Sequence, residues 1–341
     1  MIRWLSGGVA AVVVVVLLLL APSAYVELAC RADPVASEYE PILPPEHRRA
    51  EARTLLTYPE WHIIYAYDDY AAVIAAGDPH EFDFLRAVAG FWTSFCALSR
   101  EADRLGTESG GSRQTVPVIG VSFTAEMLLK ALYEETAGRL AYAAFGRGPL
   151  DDLSARQAME YARFLRQVPW YRWDFRADAA ELRAAATEAG RDRERAFALG
   201  VEYGAKAAYA GVIEGAVATT GADALRLRSV VTGADAATLS AIEDVTVIGP
   251  LGPGFEIETP RYAAFTALLP ALARSGAVFA EIAGNDEILL TLTAPEGAAD
   301  ALRTLPRQGY GDVRSLVLLP VGELLAFVRA NPGGVEHVHD Y

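Results

Sequence analysis

Two lysines are the side chains of this sequence whose type and surroundings most suggest chemistry. The chain has thirty basic residues, and only Lys130 and Lys206 are lysines. Each follows a glutamate by four residues, Glu126 and Glu202, and Glu134 stands one further turn on. A partly buried lysine changes its pKa readily, so it can accept a proton or bind an anionic group. We predict that both lysines and these glutamates line one ligand-binding polar cavity; structural helix ion pairs are the alternative.

A second set of candidates lies on an aromatic-rich segment nearer the amino terminus. Glu60 and His62 stand near the start of a predicted helix, and Asp68 follows with Asp69. Paired carboxylates can do acid and base work when their surroundings differ. Because adjacent residues on a helix point apart, a solvated acidic face is the simpler interpretation. The neighbouring tyrosines and tryptophan could pack in a core, line a ligand pocket or lie at a membrane interface.

The carboxyl-terminal tail contains a weak metal half-site. His337 and His339 alternate with Val338 and could project to one side, as metal ligands on a strand do. A polar tail is more often solvated and frayed, so we predict a flexible tail and no resident metal. Nor does the sequence indicate a cofactor.

Known catalytic motifs are missing from the sequence. It has no phosphate loop, no dinucleotide glycine fingerprint, no HExxH and no GxSxG. The glycines near residue 250 precede Glu256 and Glu258, which would repel a phosphate. No catalytic residue can be assigned. With 44 acidic side chains against 30 basic ones and a net charge of −14, the chain is also not expected to bind nucleic acid.

Helical periodicity covers the region that carries the lysines. Capping residues, prolines and glycines predict helices over residues 58–76, 79–105, 123–145, 152–168, 170–188 and 191–219. Residues 106–117 are predicted to form a flexible loop. Glycines recur every three or four residues along the last helix, which indicates a close helix crossing in the core. A second membrane helix with a small-residue contact face is the alternative.

After residue 220 the pattern alternates, as in β-structure. Strands are predicted at 244–248, 277–282, 287–293 and 315–319, with helices at 262–273, 298–305 and 321–330. The order βαββαβ is that of a ferredoxin-like domain. We therefore predict an α+β fold with a mainly α-helical domain at 57–232 and a ferredoxin-like domain at 233–341.

The amino terminus predicts where the protein is found. Residues 4–26 form an uncharged apolar run after Arg3, long enough to cross the lipid bilayer as a helix. This segment, 1–30, is a retained anchor, a cleaved signal, or a leader lipidated at Cys30; all three export the body. A proline-rich linker is predicted at 31–56. Cys30 and Cys96 are too few for a disulfide framework, so stability is expected to come from packed cores.

These observations favour a membrane-anchored extracytoplasmic protein of the bacterial envelope. We expect a single helix in the inner membrane and a body in the periplasm, or a secreted or lipidated body if the leader is processed. The body is expected to bind a small ligand or a protein partner, or to support an assembly. One alternative is a hydrolase-like envelope enzyme with an acidic and lysine site. The other is an accessory subunit of a membrane complex, in which the glycine face meets a partner helix.

Overall fold

The protein combines a helical body with β-sheets, as the α+β prediction requires. A computed structural model describes residues 2–35, 39–49, 55–105, 110–220 and 225–339. Helices occupy the chain up to residue 220, and two antiparallel four-stranded sheets follow in the described part of the chain.

The amino-terminal segment folds as one long helix, α1, Ile2–Ala29. Residues 31–35, 39–49 and 55–56 of the predicted linker are described, and the segment 39–49 contains a short 3-10 turn at Pro45–His47. This part packs back onto the first sheet. Its Leu43 is fully buried, and the Leu43 amide donates a 2.8 Å hydrogen bond to the buried carboxylate of Glu281.

Four further helical segments follow: α2 at Tyr58–Ala76, α3 at Phe84–Arg104, α4 at Gly110–Tyr133 and, after a π-helical turn at Glu134–Gly138, α5 at Arg139–Phe145. The bounds of α2 are those predicted. The predicted loop is wrong from residue 110 onward, where the backbone is helical, and residues 106–109 lie outside the described chain. Tertiary packing overrides the weak helix propensity of this stretch, since Val116 is buried in the core.

The helical body is completed by α6, Pro149–Leu165, α7, Phe175–Ala185, and α8, Gly190–Thr220. The close helix crossing predicted for the glycines of α8 is wrong. No described atom of another element lies within 4 Å of a Cβ built at Gly200, Gly204, Gly211 or Gly215. These glycines lie on an open side of α8, because the helix packs into the body through other residues such as Leu199.

The first sheet contains four strands: β1 (Arg226–Thr232), β2 (Thr246–Leu251), β3 (Gly254–Pro260) and β4 (Val278–Ile282). Helix α9 (Ala236–Ser240) follows β1, and helix α10 (Ala263–Arg274) follows β3. The strand order of this sheet is β2-β3-β1-β4. The second sheet contains β5 (Glu287–Ala294), β6 (Arg303–Pro306), β7 (Val313–Pro320) and β8 (Val335–His339). Helix α11 (Val321–Ala330) connects β7 to β8. The strand order of the second sheet is β6-β7-β5-β8, so both sheets arrange their strands in the same way.

The single βαββαβ unit predicted here is not confirmed, because its strands divide between the two sheets. The predicted helix at 298–305 is wrong, since Arg303–Pro306 is a strand paired with β7. The predicted flexible tail is also wrong for Val335–His339, which pairs with β5. Strand β1 precedes the predicted domain boundary at 232/233, yet it pairs with β3 and β4.

A disulfide joins the end of α1 to the middle of α3. Cys30 and Cys96 are bonded to each other, 66 residues apart in sequence. The expectation that packing alone stabilises the fold is therefore wrong, because this bond adds a covalent restraint. Cys30 and Val26 are buried in the main helical core, which also includes Leu289 and Leu316 of the second sheet. The helical body and this sheet thus share apolar packing.

Candidate functional site

The two lysines predicted from the sequence lie together between α4 and α8. Lys130 Nζ and Lys206 Nζ each lie 2.9 Å from the same oxygen, Oε1 of Glu202. Lys206 Nζ is also 2.9 Å from Oε1 of Glu126. Two ammonium groups and two carboxylates therefore form one compact cluster without net formal charge.

Helix geometry explains why these four side chains meet. A spacing of four residues places Glu126 and Lys130 on one face of α4, and Glu202 and Lys206 on one face of α8. Glu126 contacts Lys206 while Lys130 contacts Glu202, so the two helices run antiparallel here. Each helix supplies one acid and one base to its neighbour.

Tyrosines of α2 form a wall of the lysine cluster. The Tyr67 hydroxyl donates a 2.6 Å hydrogen bond to Glu126 and lies 3.1 Å from Lys206 Nζ. Lys130 Nζ stands 4.4 Å from the centre of the Tyr70 ring, in cation–π contact. The adjoining cleft encloses about 30 Å³, which is room for about two water molecules. Binding of a ligand here stays a prediction, and in this form the cleft accommodates only water.

Two of the other predicted site residues lie elsewhere. Glu134 is buried in the π-helical turn, where its two carboxylate oxygens accept hydrogen bonds of 3.0 and 3.1 Å from the Arg195 guanidinium. Such a bidentate pair fixes the turn against α8. Glu60 is exposed on the first turn of α2 and lines neither cleft of the helical body.

Asp68 and Asp69 are buried, so the predicted solvated acidic face is wrong. Arg314 in β7 donates to Asp69 Oδ1 at 2.6 Å and to Asp68 Oδ2 at 2.8 Å. Its Nε donates to Glu336 Oε2 in β8 at 2.7 Å. One guanidinium thus holds three carboxylates and joins α2 to the second sheet.

Two further arginines complete this network, which we call the Arg314 network. Arg166 at the end of α6 lies 2.9 Å from Glu336 Oε1 and 3.5 Å from Asp68 Oδ2. Arg307 lies 3.7 Å from the same Asp68 oxygen. Arg307 also lies 2.9 Å from Asp312, so the network joins three guanidinium groups and four carboxylates. Removal of one member would leave an uncompensated buried charge.

Burial and the arginines act in opposite directions on these carboxyl groups. Burial raises the pKa of Asp69 to about 6, although Arg314 and the amide of Gln308 favour its ionised form. Burial also raises the pKa of Glu336, but there Arg314 and Arg166 outweigh it and hold that pKa below its usual range. Asp69 is therefore the member of this pair that exchanges its proton in mildly acidic conditions.

His62 lies in a second small cleft, next to Asp69 and Arg314. The cleft encloses about 40 Å³, room for a few water molecules. Burial lowers the pKa of His62 to about 4, with Arg314 adding to the effect, so the ring is neutral at pH 7. Its Nε2 lies 2.8 Å from the carbonyl oxygen of Ala87, which makes Nε2–H the donor. The lysines and His62 consequently line different clefts.

His337 and His339 are packed in the interior instead of a solvated tail. The His337 ring stacks on Trp61 with centroids 3.4 Å apart, and His339 Nε2 lies 3.0 Å from the Thr291 hydroxyl. Burial lowers the pKa of both rings, to about 3 for His339. Among the described residues no three His, Cys, Asp or Glu side chains come together as a metal site would need. These contacts give both histidines a packing role.

The Arg314 network was missed by reasoning from the sequence. Its one local signal is a single charge, Arg314, within the apolar strand VRSLVLLP. Because a buried charge requires a partner of opposite charge, this pattern predicts an ion pair. It does not say that the partners are Asp68 and Asp69, some 245 residues away.

Comparison with models of protein families, with curated proteins and with solved structures gave no match. The function therefore has to be argued from the fold and from these contacts.

Proposed function

We propose that this chain is a membrane-anchored, extracytoplasmic protein that binds or assembles a partner and has no chemistry of its own. The observation that carries the proposal is the disulfide between Cys30 and Cys96. Disulfides persist in oxidising compartments outside the cytoplasm. Cys30 directly follows α1, so the body begins in such a compartment as soon as the apolar helix ends.

The disulfide also bears on how the anchor is processed. A lipid attached to Cys30 would need the sulfur that is bonded to Cys96, which favours a retained or cleaved helix over lipidation. Contacts around the bond attach the anchor further. The Arg100 guanidinium donates to the Ala29 carbonyl oxygen at 3.0 Å, and the Ala32 amide donates to Asp103 at 3.3 Å. These contacts hold the end of α1 against the body, and we propose that the helix is retained.

A binding or assembly role is supported by the state of the two clefts. Both are small enough to hold water alone, and the charged side chains in and beside them are paired within the protein. An enzyme site usually offers a larger, mostly apolar pocket with a few convergent polar groups. The hydrolase-like alternative has no such observation in its favour.

The carboxyl-terminal half fits the same role as a scaffold. We infer that the two sheets are tandem ferredoxin-like units, because β1, α9, β2, β3, α10 and β4 follow the βαββαβ order. The second unit repeats the strand order without the first helix. This fold hosts many unrelated functions, so it supports a platform for partners and specifies no reaction.

Thiol trapping in living cells tests the proposal. Cells of a Gram-negative host that express the chain would be quenched in acid, and free thiols would be labelled with a maleimide of high mass. We expect no mass shift before reduction and a double shift after it. The Cys96→Ser variant is the matched control, because its Cys30 should label without reduction. Full labelling of the unreduced wild-type chain would refute an oxidising location.

A further inference from the structure

The helices α4, α5 and α8 each expose large apolar side chains that nothing in the described chain covers. Seven of these side chains are between 60% and 73% exposed. They are Val118, Leu129, Leu132, Leu140, Phe197, Val201 and Val212. An exposed apolar surface of this extent marks an interaction site on a soluble protein or a site of contact with lipid. We call it the outer face.

The charges of α4 and α8 are turned away from the outer face, whereas an exposed ion pair, Glu135 with Arg139, stands beside Leu140 at the start of α5. Between Thr115 and Tyr133 the only Asp, Glu, Lys or Arg residues are Glu126 and Lys130, and between Phe197 and Ile213 they are Glu202 and Lys206. All four belong to the lysine cluster on the inner side, where each contacts an opposite charge. An unpaired charge would be costly in lipid, but paired ones that face the protein are tolerated.

The apolar stretches cover most of the thickness of the hydrocarbon layer. At 1.5 Å per residue, the stretch from Val118 to Tyr133 is about 22 Å long and that from Phe197 to Ile213 about 24 Å. The hydrocarbon layer of a membrane is about 30 Å thick. In the part of the chain that the structure describes, Thr115–Phe145 is long and apolar enough to cross a membrane by length and composition.

The position of the outer face next to α1 indicates what covers it. The carboxyl-terminal part of α1 packs against α4, and Val26 shares a core with Val116. The disulfide at Cys30 holds this arrangement. Where α1 leaves the bilayer, the part of α4 around Val116 lies beside it, and the exposed apolar side chains of α4 begin at Val118. A lipid environment that surrounds α1 therefore extends naturally onto the outer face.

We propose that the outer face is immersed in the apolar layer of the membrane and is covered by lipid acyl chains. This inference rests on the membrane attachment proposed above and deepens it. The body does not hang from one helix on a flexible linker; it contacts the bilayer through α1 and the outer face together. In this arrangement the lysine cluster keeps the charged side chains of α4 and α8 paired on the side that faces the protein.

Quenching by brominated lipid tests this in the full-length protein. Tryptophan would be introduced as Leu129→Trp on α4 and as Val201→Trp on α8, with Arg176→Trp on the exposed side of α7 as the matched control. Each variant would be reconstituted into phosphatidylcholine vesicles with plain or brominated acyl chains. The emission of the five native tryptophans is subtracted with the wild-type protein. Bromine quenches only a ring that touches the acyl chains.

We expect the added emission of Leu129→Trp and Val201→Trp to fall at least twofold in brominated vesicles, and that of Arg176→Trp to stay unchanged. An intact disulfide on non-reducing gels confirms that each variant is folded. If the protein floats with the vesicles but neither added tryptophan is quenched more than the control, this inference is overturned and the anchor stands. If the protein does not float at all, the membrane attachment itself fails.

Discussion

His62 should make the protein sensitive to mild acid. The pKa of His62 is about 4 in the folded protein, whereas that of an unfolded chain is about 6.5. Between these values the unfolded chain binds more protons, so stability is full above pH 6.5 and is lost as the pH falls. Linkage gives a loss of about 2 kcal/mol from His62 alone between pH 7 and pH 5.

The His62→Gln variant isolates this contribution. Glutamine does not titrate, and it keeps an N–H group that can donate to the Ala87 carbonyl oxygen. The difference between variant and wild type is the proper readout, because Asp69 acts in the opposite direction. Its raised pKa of about 6 means that the folded state gains stability as the pH falls through that value.

The assay is the free energy of unfolding in urea, measured by pulse proteolysis in detergent micelles at pH 7, 6 and 5. We expect the wild type to lose about 2 kcal/mol more than His62→Gln over this range. Tyr58→Phe is the control, since it removes a hydroxyl near the His62 ring but leaves the ring itself. It should keep the wild-type pH dependence. Parallel curves for wild type and His62→Gln would refute the reasoning.

Three further predictions concern the ion clusters and the disulfide. Arg314→Met leaves three buried carboxylates without their shared partner and should lower the free energy of unfolding by about 3–5 kcal/mol. Adding Asp69→Asn should recover part of that loss in urea unfolding, and no recovery would contradict the network. Lys206→Met should lower the melting temperature more than Lys130→Met, because Lys206 contacts two carboxylates and Lys130 one; equal shifts would argue against the cluster. Cys96→Ser opens a restraint that spans 66 residues and should cost about 4 kcal/mol in urea unfolding. A loss below about 1 kcal/mol would show that the bond does not constrain the unfolded chain.

Helices whose ends are marked by proline or glycine could be predicted from the sequence. The helices at Tyr58–Ala76 and Val321–Ala330 have the predicted bounds, because prolines and glycines mark both ends of each. The strand at 303–306 was not predicted, because the alanines before it, such as Ala298 and Ala301, favour a helix. The strand is stabilised by pairing with β7, which the local sequence does not reveal.

Charged strands were missed for a different reason. Arg226 and Arg228 in β1 lie 2.9 and 2.8 Å from Glu258 and Glu256 in β3. Charges on a strand suggest a loop when the strand is considered alone. Once paired across a sheet, they stabilise its exposed face. Without these two strands, the repeated strand order of the two sheets was hidden.

In the candidate site, too, contacts set by local spacing could be predicted and contacts between distant segments could not. The acid and base of each lysine helix are four residues apart, so the sequence could show that Lys130 and Lys206 would have partners. Contacts between distant segments could not be predicted from spacing. The Arg314 network joins residues about 245 apart, and the disulfide joins Cys30 to Cys96. Their partners are chosen by the packing of whole elements.

We propose that the body lies outside the cytoplasm, attached to the membrane beside α1. The most direct measurement is protease treatment of spheroplasts that express the chain with a tag at its carboxyl terminus. We predict that the tagged body is degraded while the spheroplast membrane is still intact, and that a cytoplasmic marker protein survives. Protection of the body until the membrane is lysed would contradict the claim.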